Sequence, residues 1–275
     1  MKGFRAKKNT MFLLGILFTA VVVLMALLAG VLSPHDYSRQ DLPNALKPPF
    51  WADGGKWTNP LGTDHLGRDI LSRIFHGARA SLLVGVGSVL IASIIGIFLG
   101  LISGFYGRWV DSLIMRIADV QLSFPPIFLA IALMAFIPPS LSSLILVLGV
   151  VTWVQFGRVS RGSTLSVKEK DYVEAARSLG TSNINIMLRH ILPNILSPLV
   201  VIATVSMSWM ILAEAGLSFL GLGVQPPTPA WGSMLSEGRT YFGIAWWYAT
   251  FPGLAIFVTV LGLNMLGDGL RRLQI

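Results

Sequence analysis

Long apolar stretches, each with few charged side chains, constrain this chain more than any other feature of its sequence. The first of them, residues 11–33, contains no charged side chain at all. A helix of about 20 residues is long enough to cross the hydrocarbon core of a bilayer. Since lipid offers the backbone no hydrogen-bond partners, a spanning segment must be a helix or part of a closed barrel. The sequence therefore predicts an all-α membrane protein.

The composition supports a membrane-embedded chain and argues against nucleic acid as a partner. Charged residues make up 12% of the chain and the mean hydropathy is +0.69, whereas soluble domains carry about 25% charge. The formal net charge is +8. The basic side chains flank the apolar stretches, which is how they orient a membrane protein. We therefore expect the positive charge to serve topology and the surrounding surface to be lipid.

Six transmembrane helices are predicted, with both termini in the cytoplasm because lysine and arginine concentrate there. The basic N-terminus is typical of a signal peptide, but the apolar run that follows exceeds a signal core of about 7–15 residues and is interpreted as an uncleaved anchor. After the cytoplasmic residues 1–10, the predicted spans are 11–33, 80–105, 113–137, 141–156, 195–218 and 248–267, the last five in a transmembrane domain of residues 80–272. The predicted external segments are 34–79, which includes an amphipathic helix, and 219–247, and the long cytoplasmic loop is 158–193.

The motifs of covalent chemistry are absent from the sequence. The chain has no cysteine, which rules out disulfides, thiolate metal sites and cysteine nucleophiles. It has no phosphate-binding Gly-x-x-x-x-Gly-Lys-Ser/Thr motif and no His-Glu-x-x-His. Ser160 and Ser163 have no histidine or aspartate partner that the spacing would support. We therefore predict a protein that is not an enzyme and that holds no cofactor of its own.

His65 lies close in sequence to Asp64 and Asp69, a combination that allows two interpretations. One is a metal site. The other, which we favour, is turn chemistry with ion pairs from the two aspartates to Arg68 and Arg73. Asp64 is also a candidate N-cap for the amphipathic helix that follows. No metal is predicted.

Two features inside the spans are candidates for a translocation pathway. Pro125 and Pro126 interrupt the third span, and a broken helix is tolerated in a membrane where the backbone is buried in protein or lines a water-filled cavity. The stretch from Gln121 to Pro126 is therefore either a pathway-lining kink or a purely structural one. Glu214 is the only acidic residue in the fifth span, and an intramembrane carboxylate is by default a functional hypothesis. Its alternative role is to reach interfacial water near the external end of the span.

Glycines at positions 96, 100 and 104 fall on one face of the second span. Small residues at this spacing let another helix approach closely. The face is predicted to be either a subunit or gate interface, or an internal packing surface.

The polar loop at 158–193 is predicted to form a compact knob of two short helices. The first begins at Asp171, and Gly180 follows Leu179 as a helix C-cap would. The second is predicted over residues 184–189, with N-caps offered by residues 181–183, and Pro193 starts the next span. Amphipathic helices commonly dock into a partner's groove. The alternative is a solvated connecting loop.

This loop resembles the EAA loop of binding-protein-dependent ABC importer permeases. The residues that carry the resemblance are Glu174, Ala175, Ala176, Gly180, Leu192 and Pro193. The pattern departs at His190, where the family often has an apolar residue. Three further parts of the chain are similar to the peptide/nickel branch of the family, and most closely to its second permease subunit. They are residues 61–69 with Ser72 and Arg73, residues 219–223 with 226–229 and 231–232, and Asn264 with residues 267–271.

The resemblance implies a type I ABC importer permease fold in the bacterial inner membrane, with the EAA loop coupling the spans to an ATPase. The implied partners are a homologous second permease, two ATPase subunits that bind ATP and magnesium, and an external solute-binding protein. The implied cargo is dipeptides or oligopeptides, with nickel or a metal chelate as the alternative. A different class of function, a stand-alone intramembrane channel or enzyme that uses Glu214, is the remaining hypothesis.

Overall fold

The computed structural model describes residues 2–273, with side chains from Thr10 to Arg272. The described chain is helical and contains no strand beyond one isolated bridge between Thr63 and Asp69, which confirms the predicted all-α class. The α-helices are α1 (Lys2–Leu27), α2 (Ala29–Leu32), α3 (Ile70–Tyr106), α4 (Arg108–Leu122), α5 (Pro126–Met134), α6 (Leu141–Val167), α7 (Asp171–Ser178), α8 (Asn183–Asn185), α9 (Leu192–Phe219), α10 (Trp231–Thr240) and α11 (Trp246–Leu273). A 3₁₀ turn covers Leu42–Asn44, and a π-helical segment, Ile186–Ile191, joins α8 to α9.

Among the described residues, five helices are long and apolar enough to cross a membrane. They are α1, α3, α6, the continuous helix from α8 through α9, and α11. Helices α4 and α5 pass the same test only as a pair, and they meet at an angle of 84°. With this bent pair counted as one span, the chain has the six spans that the sequence predicts.

The start of α3 differs from the prediction. The helix begins at Ile70, not at residue 80, because Asp69 caps it and Asp69 Oδ2 accepts a hydrogen bond from the Ser72 amide at 2.8 Å. The prediction that Asp64 caps this helix was wrong. Asp64 closes the preceding turn, where its Oδ1 accepts from the amides of Leu66 and Arg68. The sequence offers an aspartate at both positions, and spacing alone does not choose between them.

The glycine face of α3 packs against α6 of the same chain. A Cβ on Gly96 would lie 2.5 Å from the carbonyl oxygen of Trp153, and one on Gly100 would lie 2.3 Å from that of Gly157. A real Cβ does not come this close, so the approach of the two backbones requires glycine. Of the two predicted roles, internal packing is the one that these contacts support.

The two ends of the bundle carry different non-membrane structures. We call residues 34–69 and 220–245 the platform, and residues 168–191 the knob. Trp231 anchors the platform: it is fully buried beside Ile74, whose carbonyl oxygen accepts its indole N–H at 3.0 Å. At the other end of α3, Lys168 donates to the carbonyl of Gly104 at 3.0 Å. Since α3 has 37 residues, about 55 Å of helix separates the two regions.

Candidate coupling loop, pathway kink and buried ion-pair cluster

The knob is a packed element rather than a solvated loop. Val173 of α7 is fully buried, and Ala176 is 8% exposed. They belong to an apolar cluster at the end of the bundle that includes Val167, Ile186 and Phe156. Burial of these side chains fixes α7 against α6 and the π-helical segment.

Gly180 ends α7 in a Schellman arrangement, as the sequence predicts. The Gly180 amide donates to the Arg177 carbonyl at 3.0 Å, and the Thr181 amide donates to the Ala176 carbonyl at 3.1 Å. Gly180 has φ +78°, a conformation that costs a side-chain-bearing residue free energy. A Cβ there would meet no atom within 4 Å. Backbone conformation, and not space, is therefore what requires glycine at this position.

The predicted second helix of the knob is not a separate element, and this part of the prediction was wrong. The chain passes from α8 through the π-helical segment into α9 without a break, and Pro193 lies in the first turn of α9. The amide of Leu192 donates to Met187, five residues back. A proline has no amide proton and clashes with the carbonyl four residues earlier, and a widened turn accommodates both defects without ending the helix.

The outer surface of the knob exposes several large apolar side chains. Leu179 is 87% exposed, and Tyr172, Ile184 and Leu188 are also exposed. Glu174 and Ala175 face outward, whereas Ala176 faces the bundle. A group of exposed apolar side chains on an ordered, firmly packed element is typical of a surface that binds another protein.

The predicted kink is present at the two prolines, and a glutamine ties it to α6. Pro125 caps α5, and the amide nitrogen of the Gln121 side chain donates to the carbonyl of Val151 at 2.7 Å. The indole N–H of Trp153 donates to the Gln121 side-chain oxygen at 2.8 Å. Gln121 and Pro125 therefore lie together at one bend of the chain, as predicted, while Glu214 contacts other residues.

Glu214 is fully buried between α3 and α9, so the interpretation in which it reaches interfacial water was wrong. Ser218 donates a hydrogen bond to one carboxyl oxygen at 2.7 Å, and Ser81 donates to the other at 3.1 Å. No described lysine, arginine or histidine forms an ion pair with it. Its hydrogen bonds therefore link α3 to α9.

A buried ion-pair cluster joins the platform to the start of α3. Asp64 is fully buried, and its Oδ2 accepts from Arg68 Nε at 2.6 Å and from Arg73 Nη1 at 2.5 Å. This confirms the predicted ion pairs for Asp64, whereas Asp69, the cap of α3, forms none among the described residues. The same two guanidinium groups each lie 3.1 Å from the Glu237 carboxylate on α10. Tyr248 at the start of α11 donates its hydroxyl to Glu237.

Glu237 is the member of this cluster that sequence reasoning missed. It lies more than 160 residues beyond Arg68 and Arg73, and no spacing rule links positions so far apart. Burial raises the pKa of the Glu237 carboxyl, but the charge of Arg73 and the hydrogen bonds from Tyr248 and Arg73 outweigh burial. Its pKa is therefore below the ordinary value, and the cluster holds it ionised.

The geometry argues against a metal at this cluster. Potential ligand atoms of Asp64, His65 and Glu237 lie within 4.8 Å of one another. Both carboxylates already accept charged hydrogen bonds from Arg68 and Arg73, so a cation placed among them would meet two guanidinium groups. The cluster is best described as an ion-pair network.

Two family models match this chain. One describes the "Binding-protein-dependent transport system inner membrane component" and covers residues 96–274. The other describes the "N-terminal TM domain of oligopeptide transport permease C" and covers residues 4–49. The chain therefore belongs to the family of inner membrane components of binding-protein-dependent transport systems.

Named relatives and solved structures agree with this assignment. The Di/tripeptide transport system permease protein DppC of Pseudomonas aeruginosa is 45% identical over 257 residues, which cover 94% of this chain and 85% of that protein. The Glutathione transport system permease protein GsiD of Pectobacterium atrosepticum is 44% identical over 258 residues, covering 93% and 83%. An inward-facing structure of the MetNI methionine ABC transporter superposes with a TM-score of 0.60 at 19% identity, over 74% of this chain and 96% of that one. The last comparison shows the fold. Together they define the chain as a multi-pass permease subunit of an ABC importer in the inner membrane.

Proposed function

We propose that this permease imports dipeptides or oligopeptides, together with a homologous second permease that completes the pathway. The similarity to peptide-transport permeases over nearly the whole chain supports this cargo. The match of residues 4–49 to the N-terminal model of oligopeptide transport permease C supports it as well. ATP and magnesium bind to two ATPase subunits, and an external solute-binding protein delivers the peptide. This chain carries out no ATP hydrolysis itself.

The knob end faces the cytoplasm and the platform faces outward. Lysine and arginine accumulate in cytoplasmic segments. The region around the knob carries six of them: Arg158, Arg161, Lys168, Lys170, Arg177 and Arg189. In this orientation both termini are cytoplasmic, and the platform is the surface that the solute-binding protein meets.

The knob transmits movement of the ATPases to the spans. The observation that carries this proposal is its two-sided construction, with Val173 buried in the bundle and Leu179 almost fully exposed. The exposed side, with Glu174 and Ala175, binds an ATPase groove. Ala176 and Gly180 set the packing and the direction of α7. Leu192 and Pro193 join the knob to α9, so that α7 and α9 move together.

The test is a pair of matched glycine variants in the complete complex, reconstituted in proteoliposomes with its binding protein. Gly180→Val strains the backbone because φ is positive there, whereas Gly162→Val adds the same side chain to a helical position that also has open space around it. We expect Gly180→Val to reduce peptide uptake per ATP hydrolysed by about tenfold and Gly162→Val to change it little. Equal coupling in the two variants would remove the role assigned to the knob.

The cargo is tested separately with a labelled dipeptide and with nickel. We expect ATP-dependent uptake of the dipeptide that unlabelled dipeptide suppresses and excess nickel does not. Uptake of nickel and not of dipeptide would contradict the peptide cargo and support the metal or metal-chelate alternative. Conduction by this chain without its ATPases, abolished by Glu214→Gln, would instead support the channel hypothesis.

A further inference from the structure

Helix α4 lies between two breaks in the backbone. At one end Gly107 has φ +63°, and the next residue, Arg108, has φ +49°. At the other end, Ser123 and Pro125 separate it from α5, which turns away by 84°. Residues with positive φ end a helix rather than continue it. Helix α4 is therefore a short rod with a change of direction at each end, and its second end is the pathway kink.

Apolar packing of α4 within the described chain is limited to one small cluster, in which Ala118 contacts Trp153 and Val154 of α6. Ala118 is the only buried residue of α4 there, and Trp109, Leu113, Ile117 and Val120 are all exposed. Between α4 and α6 lies an open cavity of about 690 Å³, lined largely by charged side chains of both helices. Polar contacts across this cavity therefore add to the small apolar cluster in setting the position of α4 relative to α6.

Two ion pairs bridge α4 and α6 across this cavity. Asp111 receives a bidentate pair from Arg161, with both N···O distances 2.5 Å, and also accepts from Ser103 of α3. Asp119 accepts from Arg158 at 2.7 Å. Charged, bidentate hydrogen bonds are the strongest of the common polar contacts and also fix orientation. These contacts supplement the small apolar cluster between the two helices.

The α6 residues of the two pairs lie near the end of α6 that contacts the knob. Arg161 lies within two turns of Val167, the last residue of α6. Val167 is buried in the same cluster as Val173 of α7. Helix α6 thus contacts the knob at its end and holds α4 a short distance before that end.

We propose that the Asp111–Arg161 and Asp119–Arg158 pairs are positioning contacts that fasten α4 to α6, so that displacement of the knob moves the kink at Pro125. This inference rests on the proposed role of the knob. The Asp111 pair is the stronger fastener, because its side chains are 33% and 21% exposed and its contact is bidentate. The Asp119 pair is 51% and 56% exposed and has a single contact.

The absence of cysteine makes a direct distance measurement possible. Spin labels on Ser112→Cys in α4 and Ser166→Cys in α6, both exposed positions, report the separation of the two helices in the assembled complex with cysteine-free partners. Each sample is measured without nucleotide and with ATP trapped. We expect one narrow distance distribution that is the same in both states, because the pairs hold the two helices together.

In the same background, Asp111→Asn should broaden the distribution in both states and lower peptide uptake per ATP by about tenfold. Arg116→Gln is the matched control, since it also removes a charge from α4 but from a side chain that pairs with no described residue. The exchanged pair Asp111→Arg with Arg161→Asp should restore a narrow distribution. Arg161→Lys keeps the charge but loses the bidentate geometry, so its distribution should be broader than that of wild type. It provides the test if Asp111→Asn does not assemble.

An unchanged distance distribution in Asp111→Asn and in Arg161→Lys would overturn the proposal. The distance readout without nucleotide needs neither transport nor a known cargo. Failure of the wild-type complex to import peptide would therefore count against the proposed function only, and an intact distribution in the variants would count against the fastening only.

Discussion

The platform and α4 are both held by pairs of aspartate or glutamate with arginine, and the two sets differ in burial. In the platform, Asp64 is fully buried, Arg68 and Arg73 are nearly so, and two carboxylates share two guanidinium groups. On α4, the two pairs are partly or largely exposed, and each acts alone. A buried network keeps one arrangement because breaking it leaves a charge without a partner in a dry site. An exposed pair exchanges its partner for water at little cost.

The difference suits the two ends of a transporter to different tasks. The platform joins residues 34–69, α10 and the start of α11 into one body through Glu237 and Tyr248. Helix α4 is joined to α6 by two separate and more exposed ion pairs. The following predictions test this contrast, and they run from the largest expected effect to the smallest.

Asp64→Asn should cause the largest loss of stability. It leaves Arg68 and Arg73 buried with half of their negative partners, and breaking a buried pair in this way costs about 3–5 kcal/mol. The measurement is the midpoint of thermal unfolding of the assembled complex. Asp36→Asn is the control on the same segment, because Asp36 is exposed and pairs only with Ser38 and the local backbone. Equal midpoints for the two variants would show that the cluster does not hold the platform.

Glu237→Gln should have a smaller effect, about 1–3 kcal/mol, because Glu237 is 26% exposed and the amide still accepts from Tyr248. The expected result is faster proteolytic cleavage within residues 220–245, without loss of the spans. A cleavage rate equal to that of wild type would mean that α10 is held by Trp231 packing alone.

The stability of the platform should depend on pH through the ionisation of Glu237. The pKa of Glu237 is lowered in the folded protein, so its contribution is present above the unfolded value and is lost as pH falls through the folded pKa. Platform cleavage in wild type should therefore accelerate between about pH 5 and pH 3. Glu237→Gln should show a weaker acceleration over that range. Parallel pH profiles for the two proteins would contradict the assignment.

Asp119→Asn should have the smallest effect of the series. Exposed ion pairs contribute about 0.2–1 kcal/mol, so coupled uptake should fall by no more than about fivefold and should become less sensitive to salt. Uptake and ATP hydrolysis measured at low and high ionic strength check this. A loss as large as that of Asp111→Asn would reverse the ranking of the two pairs.

Local features of this fold were predictable from the sequence. Uncharged runs define the spans, because lipid leaves the backbone no alternative to a helix. Gly180 was predictable as the residue that ends α7, because helices commonly end with a glycine at positive φ. The kink at Pro125 and Pro126 follows from the chemistry of proline.

Features that depend on distant residues were not predictable. Glu237 and Arg73 meet only because α10 folds back onto α3, and Asp111 meets Arg161 only because α4 turns at Gly107. The continuity of α8 with α9 was missed for a local reason, since Pro193 suggested a helix start and the π-helical segment instead carries the helix through it. Fine choices of this kind, such as Asp69 over Asp64 as the cap of α3, are decided by tertiary contacts.

The most direct test of the account is a comparison of cross-links from the two ends of the bundle. Leu179→Cys on the knob and Leu220→Cys on the platform introduce single exposed cysteines into a cysteine-free chain. In the reconstituted complex, we predict that Leu179→Cys cross-links to an ATPase subunit with a yield that changes with nucleotide, and that Leu220→Cys cross-links to no ATPase. An ATPase cross-link from Leu220→Cys and none from Leu179→Cys would contradict both the orientation and the coupling role of the knob.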